Sequence, residues 1–213
     1  MKVNRKKLVG QLEDVSCALP KASAKDRPPY FTFGGRVVVA YNDCLLAVHE
    51  TDQIVDGVNF SISSEPLLPL SKKLTEDEID VQYKDSHLIV RGKRKQAKFS
   101  LEETDDEALA CINFSKAYQE LPKTFLDGLS SALECVHKSE KQFVLACVHI
   151  TPKWIEASNN YQAVRTFLTT GLDQNALLHF EAVVPLVKKQ VSQLAIEDER
   201  LNFKNEDGLM LSC

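Results

Sequence analysis

Glycine and proline are scarce, eight of each in 213 residues, and no low-complexity tract accompanies them, which argues against a long disordered segment. No stretch approaches the roughly 18 uncharged apolar residues of a membrane-spanning helix, so no membrane partner is expected. The start, Met1-Lys2-Val3-Asn4-Arg5-Lys6-Lys7, has charge but no apolar stretch behind it, which argues against a signal peptide and for a cytoplasmic protein. The six cysteines (Cys17, Cys44, Cys111, Cys135, Cys147, Cys213) form no Cys-x-x-Cys and no zinc-like pairing with histidine. Most sit in apolar runs such as Leu145-Ala146-Cys147-Val148 and read as reduced, small core hydrophobes. Dinucleotide, Walker, nucleophile-elbow and zinc-protease motifs are absent. The five histidines (His49, His87, His137, His149, His179) are scattered, and the carboxylate clusters at 76–80, 102–107 and 197–199 read as solvated charge in turns and connectors. No cofactor or metal site is expected, and the chain does not read as an enzyme.

What the sequence does contain is a repeat. Leu8 and Leu12 recur as Phe125 and Leu129, each 117 positions on, and Tyr41-Asn42-Asp43 recurs as Ser158-Asn159-Asn160 at the same offset. Pro69-Leu70-Ser71-Lys72-Lys73 recurs as Pro185-Leu186-Val187-Lys188-Lys189, 116 on. Val81-Gln82-Tyr83-Lys84 followed by Leu88-Ile89-Val90 pairs with Leu201-Asn202-Phe203-Lys204 followed by Leu209-Met210-Leu211, offsets that have drifted to 120 and 121. So long a period is that of two tandem domains rather than a solenoid, and the expected division is 1–104 and 105–213.

Hydrophobic periodicity fills in the elements. Residues 7–19 read as a helix with Leu8, Leu12, Val15 and Leu19 on one stripe, ended by Pro20. A polar, basic loop at 20–29 leads to strands at 30–33, 36–41, 44–50 and 58–62. A second helix runs from Ser64-Glu65-Pro66 to Leu74, and strands follow at 78–84, 87–91 and 97–101. After a charged connector, 102–107, the pattern restarts with a strand at 109–114 and a helix at 122–137. Strands near 143–150, 153–158, 161–168 and 176–180, a helix at 182–193 and strands at 200–204 and 208–212 complete the chain. Nothing answers 97–101, so the second domain is expected to lack its last strand. The class is α+β, with antiparallel sheets on one side and two amphipathic helices per domain on the other.

Net charge is −4, divided as 16 Lys/Arg against 15 Asp/Glu in residues 1–104 and 10 against 15 in residues 105–213. A local basic surface, not the overall sign, is what phosphate binding requires. Lys72-Lys73 and Lys188-Lys189 hold equivalent places on the second helix of each half. Arg5, Lys6 and Lys7 precede the first helix, and Lys123 precedes its counterpart. Lys21, Lys25 and Arg27 follow the first helix, as Lys138 and Lys141 follow its counterpart. Cations at matched positions point to a face that holds a phosphate backbone without reading bases, against the plainer reading of solvated helix surfaces. The densest basic run, Arg91-Gly92-Lys93-Arg94-Lys95-Gln96-Ala97-Lys98, sits at a hairpin and has the same two readings.

In this order of elements the chain resembles the DNA polymerase sliding clamps of the bacterial beta-subunit type, with a phage version in view. The likeness covers nearly the whole chain. It is closest at Glu78-Ile79-Asp80-Val81-Gln82-Tyr83, His87-Leu88-Ile89-Val90-Arg91 and Ala97-Lys98-Phe99-Ser100-Leu101. The turn Ala157-Ser158-Asn159-Asn160-Tyr161-Gln162-Ala163 is also similar, although the family usually has Asp, Gly and Arg where Asn159, Asn160 and Gln162 stand.

The resemblance implies a six-domain ring with its helices lining a hole for double-stranded DNA and its sheets outside. Lys6, Lys7, Lys72, Lys73, Lys123, Lys188 and Lys189 would face the pore, with Lys21, Lys25, Arg27, Lys138 and Lys141 near its mouth. It implies a non-enzymatic processivity factor that self-associates, as a homotrimer of two-domain chains or as a dimer if this chain is the front of a three-domain clamp. DNA polymerase and a clamp loader would dock through short peptides. A non-ring interaction module that uses the clamp fold as a scaffold is the alternative.

Overall fold

The computed structural model describes residues 1–20, 28–51, 58–104, 109–110, 112, 117–138, 142–197 and 200–213. It divides into two units, Met1–Asn113 and Phe114–Cys213. In the first, β1 (Lys2–Asn4) leads into helix α1 (Arg5–Val15), which tightens into a 3-10 turn at Ser16–Ala18. Strands β2 (Tyr30–Gly34), β3 (Val37–Asn42), β4 (Leu45–Glu50) and β5 (Phe60–Ser63) follow, then helix α2 (Ser64–Lys73). Strands β6 (Glu78–Lys84), β7 (His87–Arg91) and β8 (Gln96–Ser100) close the unit. All pairing is antiparallel, in the orders β5-β2-β3-β4 and β1-β6-β7-β8.

The second unit repeats this plan. It runs β9 (Gln119–Glu120), α3 (Phe125–Cys135), β10 (Cys147–Ile150), β11 (Trp154–Ser158), β12 (Ala163–Phe167), β13 (Ala176–His179), α4 (Phe180–Lys188), β14 (Gln193–Glu197), β15 (Arg200–Lys204) and β16 (Leu209–Ser212). Its sheet orders are β13-β10-β11-β12 and β9-β14-β15-β16. Among the described residues no helix is long and apolar enough to cross a membrane.

The helical stripes do what their spacing predicts. Leu8, Leu12 and Val15 are buried where α1 packs on β3 and β4, and Phe125, Leu129 and Ala132 are buried where α3 packs on β10, β11 and β12. In each unit the two helices also pack on each other. Each fully buried Leu or Phe contributes about 1.5–3 kcal/mol, so these stripes set which helix face turns inward. The repeated turn has a chemical reason as well. Asn42 Oδ1 accepts from the N–H groups of Cys44 and Leu45, both at 3.0 Å. Asn159 Oδ1 likewise accepts from Tyr161 at 3.1 Å and Gln162 at 2.9 Å. Each asparagine replaces missing backbone partners at the tip of a hairpin. Asn160 is in the left-handed region at φ 73°, a conformation asparagine tolerates better than most residues.

Several expectations change. The second unit does not lack its last strand: β16 answers β8, and β15 answers β7. The strand that sequence reading missed is β14, the counterpart of β6. The strand repeat therefore has to be moved by one element. Glu78 and Gln193, the first residues of β6 and β14, stand 115 apart, close to the helix offsets, where the earlier pairing required 120. The helix expected to reach residue 193 ends at Lys188, and Gln190 takes a left-handed conformation at φ 50°. The short strands β1 and β9 were also missed. The strand expected at 109–114 falls mostly outside the described residues, and Leu109 and Ala110 are helical. None of the five described cysteines is in a disulfide, but only Cys147 is fully buried.

On the outer side of the β13-β10-β11-β12 sheet, Glu156 is held by neighbours on both sides. Its carboxylate accepts from His149 Nδ1 at 2.8 Å and from Arg165 Nε at 2.6 Å. The Arg165 guanidinium in turn lies 5.0 Å over the centre of the Trp154 ring. Burial acts to raise the Glu156 carboxyl, but the bonds from His149 and Arg165 outweigh it and hold the group below its usual range. A carboxyl depressed in the folded state binds fewer protons there than when unfolded. Its stabilisation is thus present above the unfolded pKa and disappears as pH falls through the folded one. Glu156→Gln is expected to lower stability by about 1–3 kcal/mol at neutral pH. Urea unfolding should show that deficit shrinking as the solution is taken below the carboxylate range.

Candidate nucleic-acid interface

Eight of the twelve expected cations lie in the described residues: Lys6, Lys7, Lys72, Lys73, Lys123, Lys138, Lys188 and Lys189. Lys21, Lys25, Arg27 and Lys141 lie outside them. In the first unit Lys6 and Lys7 occupy the first turn of α1, whose N-cap Asn4 accepts from the Lys7 N–H at 3.0 Å. Two residues, or about 200° of helix, separate Lys6 from buried Leu8, so its side chain leaves on the opposite face. No acid occupies this first turn, although the positive end of the helix dipole would favour one by about 0.3–1 kcal/mol. The helix dipole thus gives no reason for placing Arg5, Lys6 and Lys7 there.

At the other end of the pair, Lys72 and Lys73 sit in the last turn of α2, where cations suit the dipole. The structure adds carboxylate partners to this set. Lys72 Nζ lies 2.7 Å from Glu13 Oε1, and Lys6 Nζ lies 3.2 Å from Asp77 Oδ1. Arg5 Nε donates to the Glu76 carbonyl at 2.7 Å. The Arg5 and Lys6 contacts join the start of α1 to the segment leaving α2, whereas Glu13, the partner of Lys72, stands seven residues beyond Lys6, near the other end of α1.

The second unit is built differently. Lys123 precedes α3, Lys188 lies in the last turn of α4, and Lys189 caps that helix, its carbonyl accepting from Asn205 Nδ2 at 3.2 Å. Lys123 and Lys189 line one cleft of about 500 Å3, together with Glu120, Glu206 and Asp207. Lys138 follows the far end of α3, away from both. The only charges within α3 itself are Asp127 and Glu134. In both units, then, matched lysines stand among carboxylates, Asp77 and Glu13 in the first and Glu120, Glu206 and Asp207 in the second. No signal in the sequence could have matched Glu13 to Lys72 or Asp77 to Lys6, because each pair is far apart along the chain.

Exposed pairs of this kind contribute little. Lys72 and Glu13 side chains are 47% and 48% exposed, and those of Lys6 and Asp77 are 73% and 77% exposed, so water screens both.

No protein-family model matches the sequence, and no curated protein matches it. Solved structures do match. The beta clamp of Helicobacter pylori, bound to a DNA ligase peptide, superimposes with a TM-score of 0.77 at 12% identity, over 100% of this chain and 65% of that one. The beta subunit of the Streptococcus pyogenes DNA polymerase gives 0.79 at 10% identity, over 99% and 62%. The DNA polymerase sliding clamp of Bacillus subtilis gives 0.77 at 11%, over 99% and 63%. The chain thus spans a little under two thirds of the length of these clamps.

A double-mutant cycle with Lys72→Ala and Glu13→Ala, read by chemical unfolding, should return a coupling of no more than about 1 kcal/mol. A larger value would mean that Lys72 serves the packing of α1 on α2. With helix pairs, paired antiparallel sheets and a shared element order in each unit, the chain has the fold of the bacterial DNA polymerase sliding clamps.

Proposed function

We propose that this chain is a sliding clamp, a non-enzymatic processivity factor that encircles double-stranded DNA and tethers a DNA polymerase. The likeness to clamps over essentially the whole chain carries the proposal. Lysines at the end of the second helix in both units support it. Holding DNA by topology needs only weak, sequence-independent contacts, since base readout would arrest sliding. Lysine ammonium groups on helix faces and helix ends suit that task. Lys6, Lys7, Lys72, Lys73, Lys123, Lys188 and Lys189 are the phosphate contacts on this reading, Lys6 beside Asp77 and Lys72 beside Glu13. Lys21, Lys25, Arg27, Lys138 and Lys141 act near the mouth of the hole.

On this reading the chain self-associates. Three two-unit chains in head-to-tail contact give a closed ring of six units, which makes the homotrimer the favoured assembly. A dimer applies if the chain is the front of a three-domain clamp. Polymerase and clamp loader would dock through short peptides, as a DNA ligase peptide does on the Helicobacter pylori clamp. A DNA replication role in the cytoplasm, in a phage or its host, fits these partners. The second reading, a non-ring interaction module on the same fold, is favoured by α3, which offers DNA only Asp127 and Glu134.

The test is retention on DNA with and without free ends. The protein should stay on closed circles and leave the same DNA once it is cut. Charge reversal at Lys72, Lys73, Lys188 and Lys189 to Glu should abolish retention on circles. Unchanged retention by that variant would remove these residues from the pore, and equal retention on cut and closed DNA would favour the interaction module.

A further inference from the structure

The basic hairpin between β7 and β8 is not a loose, solvated loop. Its tip is closed by the Gly92 N–H donating to the Lys95 carbonyl at 2.8 Å. The Glu76 carboxylate, just beyond α2, accepts from the Lys93 N–H at 2.6 Å and from the Thr75 N–H at 3.0 Å. Bonds from its own backbone N–H, from Lys93 and from Thr75 hold the Glu76 carboxyl below its usual range. Gly92 makes the approach possible, since a Cβ there would stand 2.9 Å from Glu76 Oε2. Lys95 Nζ reaches the Lys73 carbonyl at 3.4 Å. The hairpin is therefore docked on the C-terminal end of α2, next to Lys72 and Lys73.

Docking in this way engages the backbone of Lys93 and leaves the charges outside. Lys93, Arg94 and Lys95 are all exposed, and Lys73 beside them is exposed too. Glu76 is the carboxylate in direct contact with this set. Arg91, at the base of the hairpin, is different because it stands opposite Asp80 across β6 and β7. Lys73 and Lys95 also complement the negative end of the α2 dipole, so each has a structural reason to be there. Lys93 lies beside the Glu76 carboxylate, while Arg94 next to it adds a second cation at the tip that the α2 dipole gives no reason for.

We propose that Lys93, Arg94 and Lys95 at the hairpin tip, with Lys73 at the end of α2, form a second contact for the phosphate backbone of double-stranded DNA. The contact extends from Lys73, which the clamp reading already assigns to DNA, onto a loop beyond the helix faces, and it rests on that reading for its ligand. Four cations gathered against one carboxylate give a local positive surface on an acidic chain. Such a surface favours phosphate over a protein partner of mixed charge.

The experiment uses the full chain with Lys93→Gln and Arg94→Gln, the two side chains without a dipole role. Binding to a short linear duplex with free ends is followed by fluorescence anisotropy across a salt series, alongside solution mass and unfolding midpoint. Removing two phosphate contacts should weaken binding at low salt and flatten the plot of log affinity against log salt by about 1.8. Mass and midpoint should not move. An unchanged slope would overturn the proposal, as would failure of the unaltered protein to bind the duplex at low salt. An unchanged slope with a reduced mass would make the hairpin a contact between copies of this chain. A short linear duplex does not require a closed ring, so loss of the ring reading and loss of this one give different results.

Discussion

The structure depends on the burial of one apolar stripe per unit, that of the first helix. Leu8, Leu12 and Val15 in α1, and Phe125, Leu129 and Ala132 in α3, have no exposed alternative that water would tolerate. Once they dock on the strands beneath, the opposite helix face is left for charge, and the second helix is drawn in alongside. The lysines at the ends of these helices are where they are because the stripe is where it is. That connection runs from residue spacing to packing to the surface on which any DNA would rest.

Charge is where the two units diverge. The first gathers Arg5, Lys6, Lys7, Lys72 and Lys73 around the two helix ends and tempers them with Glu13 and Asp77 on the surface. Exposed pairs of that kind contribute little to stability and are readily exchanged for a phosphate. The second unit sets Lys123 and Lys189 against Glu120, Glu206 and Asp207, and its first helix is acidic. On the proposed clamp reading, DNA would be held mainly through one unit of each chain, which suits sliding because sliding penalises tight contacts.

Much of the fold was legible in the sequence, for reasons particular residues make plain. β6, β7 and β15 have the bounds that alternation indicated, since each has buried residues alternating with or flanked by polar ones. The turns at Asn42 and Asn159 repeat because each needs the same carbonyl oxygen to close a hairpin. β1 and β9 were not legible, as three and two residues are too few to show a period. β14 was hidden because α4 stops without a glycine, through a left-handed Gln190, and Val191 extends the apparent helical stripe past the true end. At the candidate site, the positions of the lysines could be read but their carboxylate neighbours could not. Glu13 and Lys72 meet only because α1 and α2 pack, and the hairpin reaches Lys73 only because Glu76 holds the Lys93 N–H.

The central claim is that two such units per chain close into a ring, and absolute mass in solution tests it most directly. Light scattering on a sizing column at moderate salt should give a mass near three chains. A mass of one chain would contradict the ring, and with it the placing of the helix lysines around a hole.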